Sequence, residues 1–335
     1  MTQQSSLTAQ VIPIAAAAHV VAAAFLGRTP ALALADGTIL LSDIGEETRV
    51  TAHAEGAILH AVSDGKRFVT GGDDGLVAAT DAAGAKEILA DTKGKWIDAL
   101  ALHADGALAF SAGRDVTVRD TKGALKHWSA PSAGRGLAFL PKGFRLAISH
   151  YNGVSLWFPN AAAAPDALEW KGSHLDVTVS PDARFVISSM QESALHGWRI
   201  ADKKNMKMTG YPAKTHSMSW SPKGDWLATS GAEACIIWPF SDKDGPMGKA
   251  PRECGVRPAR VSRAAFHPDA LVIAVGYEDG WIMLCRLTDA SEILVRATPE
   301  GAEAGAITAL CWDGAGRRLL FGADDGAAGL LTLPG

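Results

Sequence analysis

Ten histidines, four cysteines and several acidic pairs are the residues of this 335-residue chain with chemistry to offer. Their spacing decides what that chemistry could be. A zinc hydrolase needs His-Glu-x-x-His, a nucleophilic hydrolase a Gly-x-Ser-x-Gly elbow, and a nucleotide enzyme a Gly-rich loop opening a helix. None of these patterns occurs. Gly71-Gly72-Asp73-Asp74-Gly75 is Gly-rich, but the apolar run after it reads as a strand, which makes it a hairpin turn. Asp73-Asp74 and Asp324-Asp325 lack the ligand spacing of a calcium loop. No two histidines sit at ligand spacing in one element, so no metal ligand and no cofactor is assigned. The cysteines form no Cys-x-x-Cys pair. Cys235, Cys285 and Cys311 lie in apolar strands, where a free thiol behaves as a small hydrophobe, and Cys254 stands apart. A reducing, cytoplasmic setting is therefore expected.

The net charge is −4 and the pI about 6.2. The densest cationic cluster, Lys203, Lys204 and Lys207, reads as a solvated turn, so no nucleic-acid partner is expected. Val11–Gly27 imitates the apolar part of a signal peptide. Yet no Lys or Arg precedes it, and Pro13 and His19 interrupt it. No run of 18 uninterrupted apolar residues exists, so no membrane span is expected.

The elements that must position these residues are short strands in a repeat. Thr215–Trp238 holds three apolar runs separated by Pro222-Lys223-Gly224 and Gly231-Ala232-Glu233-Ala234. Strands of four to six residues joined by such turns read as a meandering antiparallel sheet. The pattern returns at His19–Asp43, Ile58–Thr80, Ile97–Arg119, Gly136–Trp157, Leu175–Trp198, Ser262–Leu284 and Thr308–Leu330. One column fixes the register: Asp36, Asp74, Asp115, Asn152, Glu192, Glu233, Asp279 and Asp325, at intervals of 38, 41, 37, 40, 41, 46 and 46 residues. Gly follows in five copies, and an Asp/Asn-Gly pair between apolar runs is a strong hairpin signal, both residues tolerating positive φ.

A strand-rich period of about 40 residues predicts an all-β, closed β-propeller of four-stranded antiparallel blades. Residues 1–335 form a single domain in this reading, with eight blades expected and seven as the alternative. A strand over Thr8–Ile14 is expected to complete the last sheet and close the ring, removing exposed edges. Outer strands are expected at Thr48–Thr51, Lys86–Ala90, Leu125–Trp128, Leu168–Trp170, Asn205–Met208, Arg252–Cys254 and Ile293–Arg296. Phe139, Trp220, Phe266 and Trp312 share one column and should wedge between sheets.

The repeat resembles the WD40 repeat over essentially the whole chain. The likeness lies in Ser221-Pro222-Lys223-Gly224, in part in Ser180-Pro181-Asp182, in the acidic turn residue, and in Trp157, Trp198 and Trp238 at strand ends. His174 and His216 fall before the innermost strand, where the family places a His. The resemblance implies a structural set of His216, Ser230 or Thr229, Glu233 and Trp238, hydrogen-bonded within a blade. The Trp-Asp dipeptide that names the family is absent from its usual place, and Trp312-Asp313 falls elsewhere.

In a propeller the default functional surface is the face where inner strands begin, with the adjoining hairpin loops. Trp96, Asp98, Arg135, His174, Asp176, Arg260 and Arg263 are expected near those starts, and Arg114, Tyr151, Gln191, Tyr277 and Glu278 in the hairpins. His174 is read as structural. Arg and Tyr are enriched at binding hot spots. The expected function is a non-enzymatic scaffold, a monomer that binds a protein or peptide in trans on this face. The alternative is a small ligand or zinc ion held in the central channel.

Overall fold

A computed structural model describes residues 6–43, 46–298, 301 and 303–334, nearly all strand and turn. Contacts divide the chain into two compact units, residues 1–50 with 216–335, and residues 51–215.

The first unit holds four antiparallel sheets. One comprises Val20–Leu26, Thr29–Leu34, Thr38–Asp43 and Glu46–Thr51; another Met218–Trp220, Trp226–Thr229, Cys235–Pro239 and Arg252–Cys254. A third runs Val261–Phe266, Val272–Tyr277, Ile282–Arg286 and Glu292–Arg296. The fourth joins the two ends of the chain: Ile307–Trp312, Arg318–Ala323 and Ala327–Thr332 are completed by Val11–Ala15, with Val11 opposite Leu331. The N-terminal strand starts later than expected, because Thr8–Gln10 form a 3-10 turn.

The second unit holds two four-stranded sheets and one of six strands. The four-stranded sheets are Ile58–Ser63, Arg67–Gly72, Leu76–Asp81 and Lys86–Asp91, then Ala99–Leu102, Leu108–Ala112, Asp115–Arg119 and Leu125–Ser129. The six-stranded sheet is Gly136–Phe139, Leu146–Trp157, Asp166–Val179, Phe185–Met190, Leu195–Arg199 and Asn205–Met208. Counted as hydrogen-bonded sheets there are seven, and this corrects the expected eight. The cause is local. Asn152 and Gly153 both take positive φ, 69° and 145°, and the strand ladder continues through them. At the far end Asp166–Val179 pairs with one neighbour through residues 166–169 and 173 and with the next through 174 and 176–179.

The acidic column has a physical reason beyond hairpin preference. Asp36, Asp74, Asp279 and Asp325 each accept the backbone N–H two residues on, from Thr38, Leu76, Trp281 and Ala327, at 2.9–3.3 Å. This side-chain turn closes on the short Asp stem. In these four turns the following Gly alone takes positive φ, near 80°, and its N–H reaches back to the carbonyl three residues earlier. They are type I turns with a left-handed Gly, not the two-residue mirror turns that Asp-Gly suggests.

Neighbouring sheets pack through their innermost strands. A Cβ added to Gly71 would stand 2.4 Å from the Ile97 side chain, and one on Gly276 2.5 Å from Ile307. The second strand of one sheet thus carries Gly one residue before its end, so that a β-branched residue of the next can seat on its backbone. The wedge column behaves as expected: Trp312 donates its indole N–H to the Ala265 carbonyl at 3.1 Å, and Phe139 lies against the His103 ring at 5.1 Å. His103 and His267 occupy turns, yet both are half-buried against a neighbouring sheet's aromatic rings.

Candidate functional site

Within the second unit, Trp96, Asp98, Arg114 and Arg135 come together. Asp98 anchors the group: one carboxylate oxygen accepts the Gly113 N–H at 2.6 Å, and the other faces the Arg135 guanidinium at 3.5 Å. Arg114 uses its Nε to donate to the Ala130 carbonyl at 2.8 Å. Its terminal nitrogens have no side-chain partner among the described residues. Lys95 pairs with Asp115 at 3.0 Å, an exposed contact worth little on its own. Trp96 is 63% exposed, so a large indole stands in solvent beside three cations. Lys95, Trp96, Asp98, Arg114 and Asp115 line an open hollow of about 520 Å³, with Arg135 reaching Asp98 beside it. Lys95, Ala112, Asp115 and Ser129 also line a second groove of about 500 Å³, floored by Leu89, Phe110, Val116, Leu125 and Trp128.

His60 belongs to this patch and has no counterpart in the sequence expectations. Solvent reaches its ring, yet surrounding atoms crowd it, and this desolvation lowers its pKa; Asp98 then raises it and Arg135 lowers it. The usable sequence signal was its place at the start of an inner strand, the rule that selected Asp98. Tyr151 is 55% exposed and lines a separate hollow of about 780 Å³ with Glu169, Trp170 and Lys171. Asp176 is exposed within the strand Asp166–Val179, just after the register shift that follows His174, its backbone packed against Gly136.

In the first unit the expected face residues divide. Arg260 and Glu278 are exposed and paired with each other at 3.0 Å. Arg263 instead joins strands: it donates to the Thr308 carbonyl at 2.5 Å and to the His216 carbonyl at 2.8 Å. Tyr277 is wholly buried, its hydroxyl donating to the Gly255 carbonyl and its ring beneath the Arg257 guanidinium at 4.8 Å. Its expected place on the face is therefore corrected. The strand Val272–Tyr277 extends through it, so its side chain points into the sheet contact rather than out of the turn.

The structural set also shifts. His174 is buried as expected, bonded through Nδ1 to Ser188 Oγ at 2.7 Å and through Nε2 to the Trp170 carbonyl at 2.9 Å. Burial lowers its pKa. Trp157, Trp198 and Trp238 are all buried. His216 and Glu233, however, are exposed. Counting back 18 residues from the acidic column reaches His174 from Glu192, but Thr215 from Glu233. Thr215 is the buried residue, and a one-residue offset on an extended chain turns His216 to the other side. The fullest set lies where it was not expected. His53 bonds Asp74 at 3.0 Å through Nδ1 and Thr70 at 2.9 Å through Nε2. Three extra residues before Ile58 hide His53 from a fixed count.

Among the described residues, no group of three or more His, Cys, Asp or Glu is arranged to hold a metal ion, and no helix is long and apolar enough to cross a membrane. A family model of the anaphase-promoting complex subunit 4 WD40 domain matches residues 264–333. No curated protein sequence matches the chain. Among solved structures, the crystal structure of the computationally designed Ika8 protein is similar, with a TM-score of 0.77 and 19% identity over 95% of this chain and 97% of that one. At that identity the likeness speaks to the fold alone. Residues 264–333 are thus similar to a WD40 domain, and the repeating antiparallel sheets and the acidic turn column agree with that likeness.

Proposed function

We propose that this protein is a non-enzymatic interaction scaffold that receives an extended peptide segment of a partner protein across the Trp96 patch. WD40 propellers are typically such scaffolds. The observation that carries the reading is the exposed Trp96 beside Arg114, at the mouth of an apolar groove floored by Phe110 and Trp128. An exposed Trp with an adjacent Arg is the composition of a binding hot spot. Asp91, Asp98 and Asp115 are each paired with a cation, Lys93, Arg135 and Lys95, whereas the Arg114 terminal nitrogens face no carboxylate among the described residues, which favours an acidic group on the peptide next to its apolar anchor.

The reading extends to organisation. A monomer in a reducing, cytoplasmic setting, binding its partner in trans and neither nucleic acid nor membrane, completes the proposal.

Affinity purification from the native cell, followed by mass spectrometry, tests the site. The double variant Trp96→Ala/Arg114→Glu should lose the partner by at least about tenfold, since a hot-spot residue contributes 2 kcal/mol or more. Arg260→Glu, in the other unit, should leave recovery unchanged. Equal recovery by the double variant would overturn the assignment.

A further inference from the structure

Three of the four cysteines, scattered in sequence, meet at one place. Cys235 and Cys254 stand directly opposite each other on the adjacent antiparallel strands Cys235–Pro239 and Arg252–Cys254. Opposed residues of such strands hold their Cβ atoms about 4.5–5.5 Å apart, and a disulfide needs about 3.5–4.5 Å, so a small strand adjustment suffices. Cys285 reaches the same point from the next sheet: a Cβ on Gly255 would lie 3.3 Å from its sulfur. Cys235 and Cys285 are fully buried in one apolar cluster, whereas Cys254 is half-buried on the outermost strand. A small reagent from solvent therefore meets Cys254 first. The three thiols are near enough for each to perturb the ionisation of the others.

We propose that Cys254 is an oxidant-responsive thiol that closes a reversible disulfide with Cys235. Hydrogen bonding from Cys235, then from Cys285, holds the Cys254 thiol well below its ordinary range, and Arg252 adds to this against the opposing effect of burial. The same hydrogen bonding and burial push Cys235 and Cys285 up. Charge is thus concentrated on the accessible sulfur, as a reactive cysteine requires. Cys311 is the internal contrast: half-buried in another sheet and away from this trio, its thiol is pushed up to about 11, desolvation being the main cause.

The oxidant class is a hydroperoxide. The Cys254 thiolate attacks one peroxide oxygen, the O–O bond breaks, and the departing alkoxide takes a proton to leave as alcohol, or as water from hydrogen peroxide. Cys254 becomes a sulfenic acid. The Cys235 sulfur then attacks the Cys254 sulfur; the S–S bond forms, the S–O bond breaks, and hydroxide leaves as water with the Cys235 proton. Two electrons pass from the two thiols to the peroxide. A small dithiol reverses the bond by exchange, which suits a disulfide that is transient in a reducing compartment.

The test treats the folded full-length chain with stoichiometric hydrogen peroxide, counts free thiols and maps linkages by non-reducing peptide mass spectrometry. Four thiols should fall to two, with Cys235 linked to Cys254 and dithiothreitol restoring all four. Cys254→Ser should slow thiol loss at least about tenfold, as removal of the lowest-pKa thiol predicts, while Cys311→Ser changes nothing. Four persisting thiols, a link through Cys285, or over-oxidised Cys254 without a link would each overturn the proposal. Mapping the unmodified chain decides the matter even if a serine variant folds poorly.

Discussion

Asp74, in the 58–91 sheet, and Glu233, in the 218–254 sheet, occupy the same column of the repeat and are held in opposite ways. Asp74 is nearly buried. It accepts the Leu76 N–H and both its oxygens face His53, which passes the connection on to Thr70. Glu233 is exposed, and only its backbone carbonyl serves the fold, accepting the Arg257 N–H at 2.9 Å. In its sheet the polar work passes to Ser230, whose hydroxyl accepts the N–H groups of His216 and Ser217, and to Thr229, which donates to the Ile236 carbonyl. In the stretch with the clearer family signature the polar network is built without the acidic side chain. A motif is read from residue types, but a network depends on side-chain length and on which face of the strand each residue takes.

The largest test of this contrast is Asp74→Ala. It leaves the buried His53 Nδ1 and the Leu76 N–H unpaired in one step. Loss of a partner at a buried polar group costs about 1–3 kcal/mol, so the two together should remove roughly 2–6 kcal/mol. Urea denaturation should show a lower midpoint with an unchanged slope. A loss below about 0.5 kcal/mol, the range of ordinary surface changes, would remove the distinction between the two turns.

The acidic column, the outer strands at Asn205–Met208 and Arg252–Cys254, and the pairing of the N-terminal strand with the last sheet were all legible in the sequence, because strand period and turn chemistry are local. The sheet count was not, since the joining of two sheets along Asp166–Val179 depends on how the ladder runs through Lys171-Gly172 and not on composition. Part of the face was legible too: Trp96, Asp98, Arg114 and Arg135 do meet. Tyr277 was misplaced by a single alternation of the strand, and His216 by one residue of register. His60 obeys the strand-start rule that selected Asp98, whereas the arrival of Cys285 beside the Cys235–Cys254 pair depends on a contact between sheets, about which no local pattern informs.

His196 sharpens the comparison from a third sheet. It lies next to the satisfied His174, stacked on Trp170 with ring centroids 3.9 Å apart, and neither ring nitrogen has a protein partner. Burial, with His174 and then Lys207 adding, lowers its pKa from 6.5 to about 3. Above pH 6.5 both folded and unfolded chains hold it neutral. Between 6.5 and 3 the unfolded chain takes a proton that the folded chain refuses, so stability falls as the pH falls. From pH 6.5 to 4.5 this amounts to about 2 kcal/mol at most. His196→Leu should flatten the urea midpoint over that range relative to the parent chain. An unaltered pH slope would mean that a bound water or a local opening already satisfies the ring.

Glu233→Ala is the smallest expected effect and the sharpest complement to Asp74→Ala, because the two positions are equivalent in sequence. The Glu233 side chain sits in solvent, with the Arg260 charge within electrostatic reach. Its extra methylene, relative to Asp, matches the absence of the N–H capping that Asp36, Asp74, Asp279 and Asp325 provide. An exposed charge of this kind contributes about 0–1 kcal/mol, and the alanine variant should unfold within about 0.5 kcal/mol of the parent. Glu233→Asp then asks whether chain length is the cause. If the shorter acid can reach the Cys235 N–H two residues on, the variant should gain about 0.5–1 kcal/mol, the net worth of one hydrogen bond. No gain would place the cause in the backbone of the Gly231–Ala234 turn and not in the side chain.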